Sequence, residues 1–196
     1  MRTITSLAAA LGLAAVTVLT SAGPATAHGY TTSPLSRQLH CAQGTVSGCG
    51  AIRWEPQSVE GLKGFPGRGP SDGTICAGGN ARFAELDDPR GGAWPATRLS
   101  GGQQYTFTWR NTAPHRTTKY EYFITRDGYD PTRPLTRGDL EAQPFLTVNL
   151  GGRQPATVES HTGRIPAGKT GTHLILAVWT VHDTANAFYA CSDVRF

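Results

Sequence analysis

The chain has 196 residues and a formal charge of +4 at pH 7; 24 residues are Gly, 13 are Pro and only 16% are charged. That length supports one domain with a real core and is too short to expect two, and the composition argues against a coiled coil or a disordered chain and for a loop-rich β protein. The basic residues are spread along the chain without a block, so nothing points to nucleic acid, and an uncharged partner fits at least as well.

The first 27 residues read as a secretion signal. Arg2 gives a short positive start, the apolar stretch over 7–19 is too short and wrongly flanked to be a membrane span, and Ala25-Thr26-Ala27 is a small-x-small cleavage site. The mature chain is therefore expected to be residues 28–196, a single exported domain with no membrane segment. Cutting after Ala27 leaves His28 with a free α-amine, and that amine and the ring Nδ1 can close a six-membered chelate on a metal. One further imidazole completes an all-nitrogen, roughly planar set, the geometry that suits Cu(II). The plain alternative is a histidine that falls at the cleavage site by chance.

Residues 28–102 show little periodicity and many turn signals, at Pro34, at Pro56, over 64–67 and over 78–80. An unstructured stretch of that length does not suit a compact domain, so short helical turns are expected inside it, with 81–86 as one candidate. All four cysteines, Cys41, Cys49, Cys76 and Cys191, lie beyond the signal, the even count of an oxidising compartment, and three pairings are open to them. There is no CxxC pair and no matching His spacing, which argues against zinc. The segment Trp54-Glu55-Pro56-Gln57-Ser58-Val59-Glu60 reads either as a flat stacking face with hydrogen-bonding neighbours, suited to sugar rings, or as a Trp that caps the edge of the core.

From residue 103 the pattern becomes that of strands. Over 103–109 Tyr105, Phe107 and Trp109 share a face, and over 119–125 Tyr120, Tyr122 and Ile124 do the same; 145–150, 173–181 and 188–196 are further candidates. Short strands separated by turns predict an antiparallel sandwich, with the long N-terminal region packed at one edge. His115, in Asn111-Thr112-Ala113-Pro114-His115, lies at a strand junction and is a candidate ligand or a plain surface histidine. In the junction over 179–189, His182 and Asp183 read as polar groups that bond the loop backbone, or as further ligands. There is no GxSxG elbow and no HExxH helix.

Taken together in order, His28-Gly29-Tyr30, the segment 54–61, Thr112-Ala113-Pro114-His115 and the segment 183–188 resemble the bacterial lytic polysaccharide monooxygenases of auxiliary activity family ten, formerly called chitin-binding proteins. The resemblance covers essentially all of 28–196. It implies a mainly β fold, an immunoglobulin- or fibronectin-III-like antiparallel sandwich with a loop-rich, partly helical N-terminal insertion. It implies one copper ion per chain, held by His28 through amine and ring and by His115, with an external reductant and O2 or H2O2 as co-substrate. Phe188 matches the residue near one axial side of the copper, where it offers no ligand oxygen; Ala113 matches the small residue that shapes access on the other. Glu60 matches the acidic residue that helps position the oxygen species. Trp54, Glu55, Pro56, Gln57, Ser58, Asp183 and Asn186 match the flat substrate face, and the pairings Cys41–Cys49 and Cys76–Cys191 match the family's pattern.

The activity so implied is oxidative cleavage of crystalline chitin at C1 by a secreted monomer. The alternatives are a non-catalytic chitin-binding module, for which His28 need not be terminal, the same chemistry on cellulose, and a copper carrier, for which the sugar face is superfluous. A hydrolase using Glu55 and Glu60 fits poorly, because nothing indicates a cleft.

Overall fold

The computed structural model describes residues 27–196, so the signal assigned to 1–27 lies, Ala27 apart, outside the described residues. The elements in order are β1 (His28–Ser33), α1 (Arg37–Ala42), β2 (Glu60–Leu62), β3 (Thr97–Arg98), β4 (Gln104–Ala113), β5 (Thr117–Ile124), β6 (Leu146–Asn149), β7 (Val158–Arg164), β8 (Thr172–Val181) and β9 (Asn186–Arg195), with 3₁₀ turns over Gly50–Arg53, Ala81–Leu86, Arg90–Gly92 and Arg137–Asp139. They form an immunoglobulin-like sandwich of a three-stranded sheet, β1-β4-β7, and a larger sheet in the order β2-β9-β8-β5-β6, with β3 alongside β9.

Two hydrophobic cores explain the strand sequences. Between the sheets, Phe107 and Trp109 of β4 meet Tyr120, Tyr122 and Ile124 of β5, Ile175, Ala177 and Trp179 of β8, and Phe188 and Ala190 of β9. On the far face of the larger sheet, Phe123, Leu174, Leu176, Val178 and Tyr189 pack against Ile52, Val59, Phe65, Ile75, Phe83 and Leu86 of the N-terminal region. A sheet covered on both faces needs apolar side chains at successive positions, which is why β8 runs as an almost unbroken apolar segment instead of alternating.

The long N-terminal region is accordingly not packed at one edge: it covers the face of the larger sheet over β5, β8 and β9. A buried ion pair anchors it there, with Arg37 Nε and Nη2 donating to the two carboxylate oxygens of Asp193 at 2.7 and 2.9 Å. Arg37 Nη1 also donates to the Leu86 carbonyl at 2.8 Å, and the guanidinium lies 4.8 Å over the Trp94 ring. Leaving Asp193 without this partner would strand a buried charge, at a cost of about 3–5 kcal/mol. Disulfides join Cys41 to Cys49 and Cys76 to Cys191, the second tying the region to β9.

The expected turn at 81–86 is present as a 3₁₀ turn in which the Asn80 side chain accepts from the Arg82 N–H. Strands β1, β2, β3 and β7 carry no apolar alternation and were not expected from the sequence. In β7 the inward residue is His161, buried and hydrogen-bonded at Nδ1 to the Tyr122 hydroxyl at 2.7 Å. β4 also runs four residues past Trp109, to Ala113, and that extension positions the site.

Candidate metal centre

The site is built where β1 starts and β4 ends. The two strands pair antiparallel with His28 opposite Ala113, so His115, two residues beyond Ala113, lies at the same end of the sheet. Gly29 permits the close approach: a Cβ there would stand 3.0 Å from the Arg110 carbonyl, from the Asn111 side chain and from the Trp179 ring. The Gly29 N–H donates to the Gln57 carbonyl at 3.1 Å, which ties this strand end to the Trp54–Ser58 segment.

His115 is fixed from two sides. Trp179 Nε1 donates to Thr117 Oγ1 at 2.6 Å, and that hydroxyl donates to the His115 carbonyl at 2.8 Å. The ring itself has Nε2 2.7 Å from Asp183 Oδ1. Desolvation pushes the Asp183 carboxyl up, but the His115 hydrogen bond, a backbone hydrogen bond within Asp183 and the nearby His115 and Arg116 charges outweigh it and hold the group below the usual carboxylate range. A carboxylate can only accept, so the ring nitrogen facing it presents a proton, and the contact sets the orientation of the ring.

The opposite flank comes from β2 and β9. Glu60 pairs in register with Phe188. Phe188 is fully buried, its ring centroid 6.2 Å from that of His28, and it turns a hydrocarbon surface toward the histidine. Glu60 is exposed, with Oε1 accepting from Asn186 Nδ2 at 2.8 Å. The loop that carries Asp183 is held by Lys63, whose ammonium donates to the carbonyls of Val181, His182 and Thr184.

Trp54 is 76% exposed, so it is not a cap on the core but an open aromatic surface. It follows the 3₁₀ turn Gly50–Arg53, and its own N–H closes that turn on the Ala51 carbonyl at 3.0 Å. Glu55 is ion-paired with Arg82. Pro56, Gln57 and Ser58 are half-buried beside it.

The structure thus brings together His28, Ala113, His115 and Asp183 on one flank and Glu60, Phe188 and Asn186 on the other, with Trp54–Ser58 joined through Gly29. His182 is exposed and turned aside, its Nδ1 3.3 Å from Thr118 Oγ1. Sequence reasoning missed Thr117, Trp179, Lys63 and Arg82. Lys63 meets partners 118 to 121 residues away, and no local pattern marks such a contact.

The donor set fits a copper ion on one condition. Among the described residues no group of three or more His, Cys, Asp or Glu side chains is placed to hold a metal. Two imidazoles need a third donor, and the backbone nitrogen of His28 can supply it, being an amide while Ala27 is attached and an amine once it is cut. Three nitrogens of this kind suit Cu(II).

Comparison with known proteins gives a consistent picture. Residues 28–194 match the family model described as "Lytic polysaccharide mono-oxygenase, cellulose-degrading". A curated relative named lytic chitin monooxygenase, from Streptomyces ambofaciens, is 42% identical over 92% of this chain and 88% of its own length. Among solved structures, an AA10 lytic polysaccharide monooxygenase from Streptomyces lividans is 59% identical with a TM-score of 0.84, covering 86% of this chain and 100% of that one. A Bacillus amyloliquefaciens structure in complex with Cu(I) is 39% identical with a TM-score of 0.78, covering 86% of this chain and 99% of that one. Other curated relatives are longer, and the chain spans about half of their length or less, 52% of one and 36% of another.

Proposed function

The chain belongs to the lytic polysaccharide monooxygenases of auxiliary activity family ten, and from that premise we propose that it is a secreted, monomeric, copper-dependent enzyme that cleaves crystalline chitin oxidatively at C1. The observation that carries this reading is the β1–β4 register, which sets His28 and His115 at one end of the sheet beside an exposed, flat aromatic face. Export as residues 28–196 supplies the α-amine. Among the described residues no helix is long and apolar enough to cross a membrane.

His28, through amine and ring, and His115 would hold one copper. Bound there, the metal supplies the redox centre at which O2 or H2O2 is used once an external reductant has delivered electrons. The protein does the rest. Asp183 orients the ring of His115. Phe188 closes one side with hydrocarbon and offers no ligand oxygen, while the single methyl of Ala113 leaves room on the other. Glu60, steadied by Asn186, is a carboxylate at the rim that can accept and return a proton during oxygen use.

A crystalline polymer cannot be threaded into a cleft, so an open face is the workable shape. Trp54 offers its ring to the apolar face of a sugar, and Gln57 and Ser58 offer hydrogen bonds. Hydroxylation of C1 consumes O2 with two electrons and two protons, releasing water, or one H2O2 with release of water. The hydroxylated carbon then expels the glycosidic oxygen, giving a lactone that hydrates to an aldonic acid.

Two observations favour alternatives. The exposed Trp54 face would also serve a binding module, and the matched family description says "cellulose-degrading". Product mass spectrometry separates all three. Protein beginning at His28 is incubated with copper and ascorbate on chitin and on cellulose. Aldonic-acid oligosaccharides from chitin are expected; oxidised products from cellulose alone would reassign the substrate, and none from either polymer, with binding retained, would leave a binding module.

A further inference from the structure

Arg53 stands next to Trp54 and has no part in the site described so far. Its guanidinium lies 4.4 Å over the Trp54 ring centroid. Among the described residues Arg53 forms no ion pair and its guanidinium donates no hydrogen bond, so its whole fork of donors faces solvent. The contact, a modest one at an exposed site, biases the fork toward one face of the indole and leaves the other face open.

Arg53 also forms one wall of a surface concavity of about 170 Å³, lined otherwise by Gly44, Val46, Ser47, Gly48 and the Cys41–Cys49 disulfide. The loop around this concavity is tied at two points. The disulfide closes its loop, and Arg90 holds it from below, donating to the Ser47 and Gly48 carbonyls at 2.8 and 2.9 Å. Arg90 stacks in turn on Trp94 at 4.7 Å, and among the described residues it is the sole non-glycine with positive φ, at 51°.

We propose that the polysaccharide-binding face continues past Trp54, over Arg53 and into the Cys41–Cys49 loop, where it takes a further N-acetylglucosamine unit of the same chain. This rests on the chitin reading above and deepens it. The acetamide carbonyl is a strong, uncharged acceptor, and the guanidinium fork beside Trp54 is a charged donor that meets it; a cellulose chain carries only a hydroxyl at the same carbon. Arg53 is therefore a specificity-determining residue for chitin over cellulose, and the concavity is the place for the acetamido group.

The test is equilibrium binding to chitin and to cellulose, using protein that begins at His28, with Arg53→Ala, Arg53→Lys and Ser47→Leu. Both positions are exposed, so the melting temperature should hold and report intact folding. Arg53→Ala should raise the Kd for chitin about fivefold or more while changing that for cellulose by less than about twofold. Arg53→Lys, which keeps the charge and loses the planar fork, should resemble the Ala variant. Ser47→Leu, which fills the concavity without touching Trp54, should weaken chitin binding similarly. Wild-type chitin affinity in either Arg53→Ala or Ser47→Leu would overturn the proposal, as would equal losses on both polymers. Should the unsubstituted protein neither bind nor oxidise chitin, the chitin reading itself falls, a failure visible before any variant is compared.

Discussion

At the scale of single residues, the titratable groups divide by environment. His115 and Asp183 form a surface pair that orients a ring, whereas Asp87 is buried behind the second core. Desolvation pushes the Asp87 carboxyl up to about 6, against backbone N–H donation from Cys76 and Ala77 and the Arg37 charge, which lower it. A folded-state value above the ordinary 3.8 means that the folded protein binds the proton more tightly than the unfolded chain. The associated stability is fully present below about pH 4 and is lost as pH rises through about 6, on the order of 3 kcal/mol. The neutral isostere Asp87→Asn should remove that slope. In melting curves at intervals from pH 4 to pH 7, wild type should lose stability relative to the variant as pH rises; parallel curves would contradict the assignment. His28, Trp54 and His115 stand out in the sequence by residue type and position, and Glu60 and Phe188 through the family resemblance; the structure pairs Glu60 with Phe188 and sets the Phe188 ring beside His28. Asp87, Arg37 and Lys63 do not stand out, because their partners lie far away in the chain.

At the scale of elements, the strands rich in aromatic and aliphatic residues were readable, and β1 and β2, which bring His28 and Glu60 to the site, were not. β4, β5 and β8 announce themselves through Phe107, Trp109, Tyr120, Tyr122 and the apolar run of β8. β1 begins with His28 and Gly29 and turns Thr31 inward, and β2 is only three residues long. Neither has a period to detect, yet their registers place His28 opposite Ala113 and Glu60 opposite Phe188. The β2 placement depends on Gly61, where a Cβ would fall 2.1 Å from the Gly78 carbonyl, a backbone atom that cannot step aside alone. Gly61→Ala should therefore lower the unfolding free energy by about 1–3 kcal/mol and displace Glu60, with a fall in oxidised product. An unchanged urea midpoint together with unchanged product yield would show that the strand tolerates the methyl.

For the whole molecule, composition and the resemblance conveyed the sandwich class, but not how the N-terminal region sits on it. Its core residues, Ile52, Val59, Phe65, Ile75 and Phe83, are isolated among glycines, prolines and turns, so only the assembled sheet shows that they cover one face together. That second core, with the Arg37–Asp193 pair and the Cys76–Cys191 link, makes the N-terminal region a rigid platform for Trp54. The proposed copper centre requires a chain that begins at His28, since among the described residues no group of three or more His, Cys, Asp or Glu side chains is placed to hold a metal. The most direct test is electron paramagnetic resonance of stoichiometric Cu(II) bound to three proteins: one beginning at His28, the same protein with His115→Ala, and one retaining Ala27. The first is expected to bind one Cu(II) with a three-nitrogen signature, and both changes are expected to alter that spectrum. One spectrum shared by all three proteins would contradict a centre made from the amine and ring of His28 with the ring of His115.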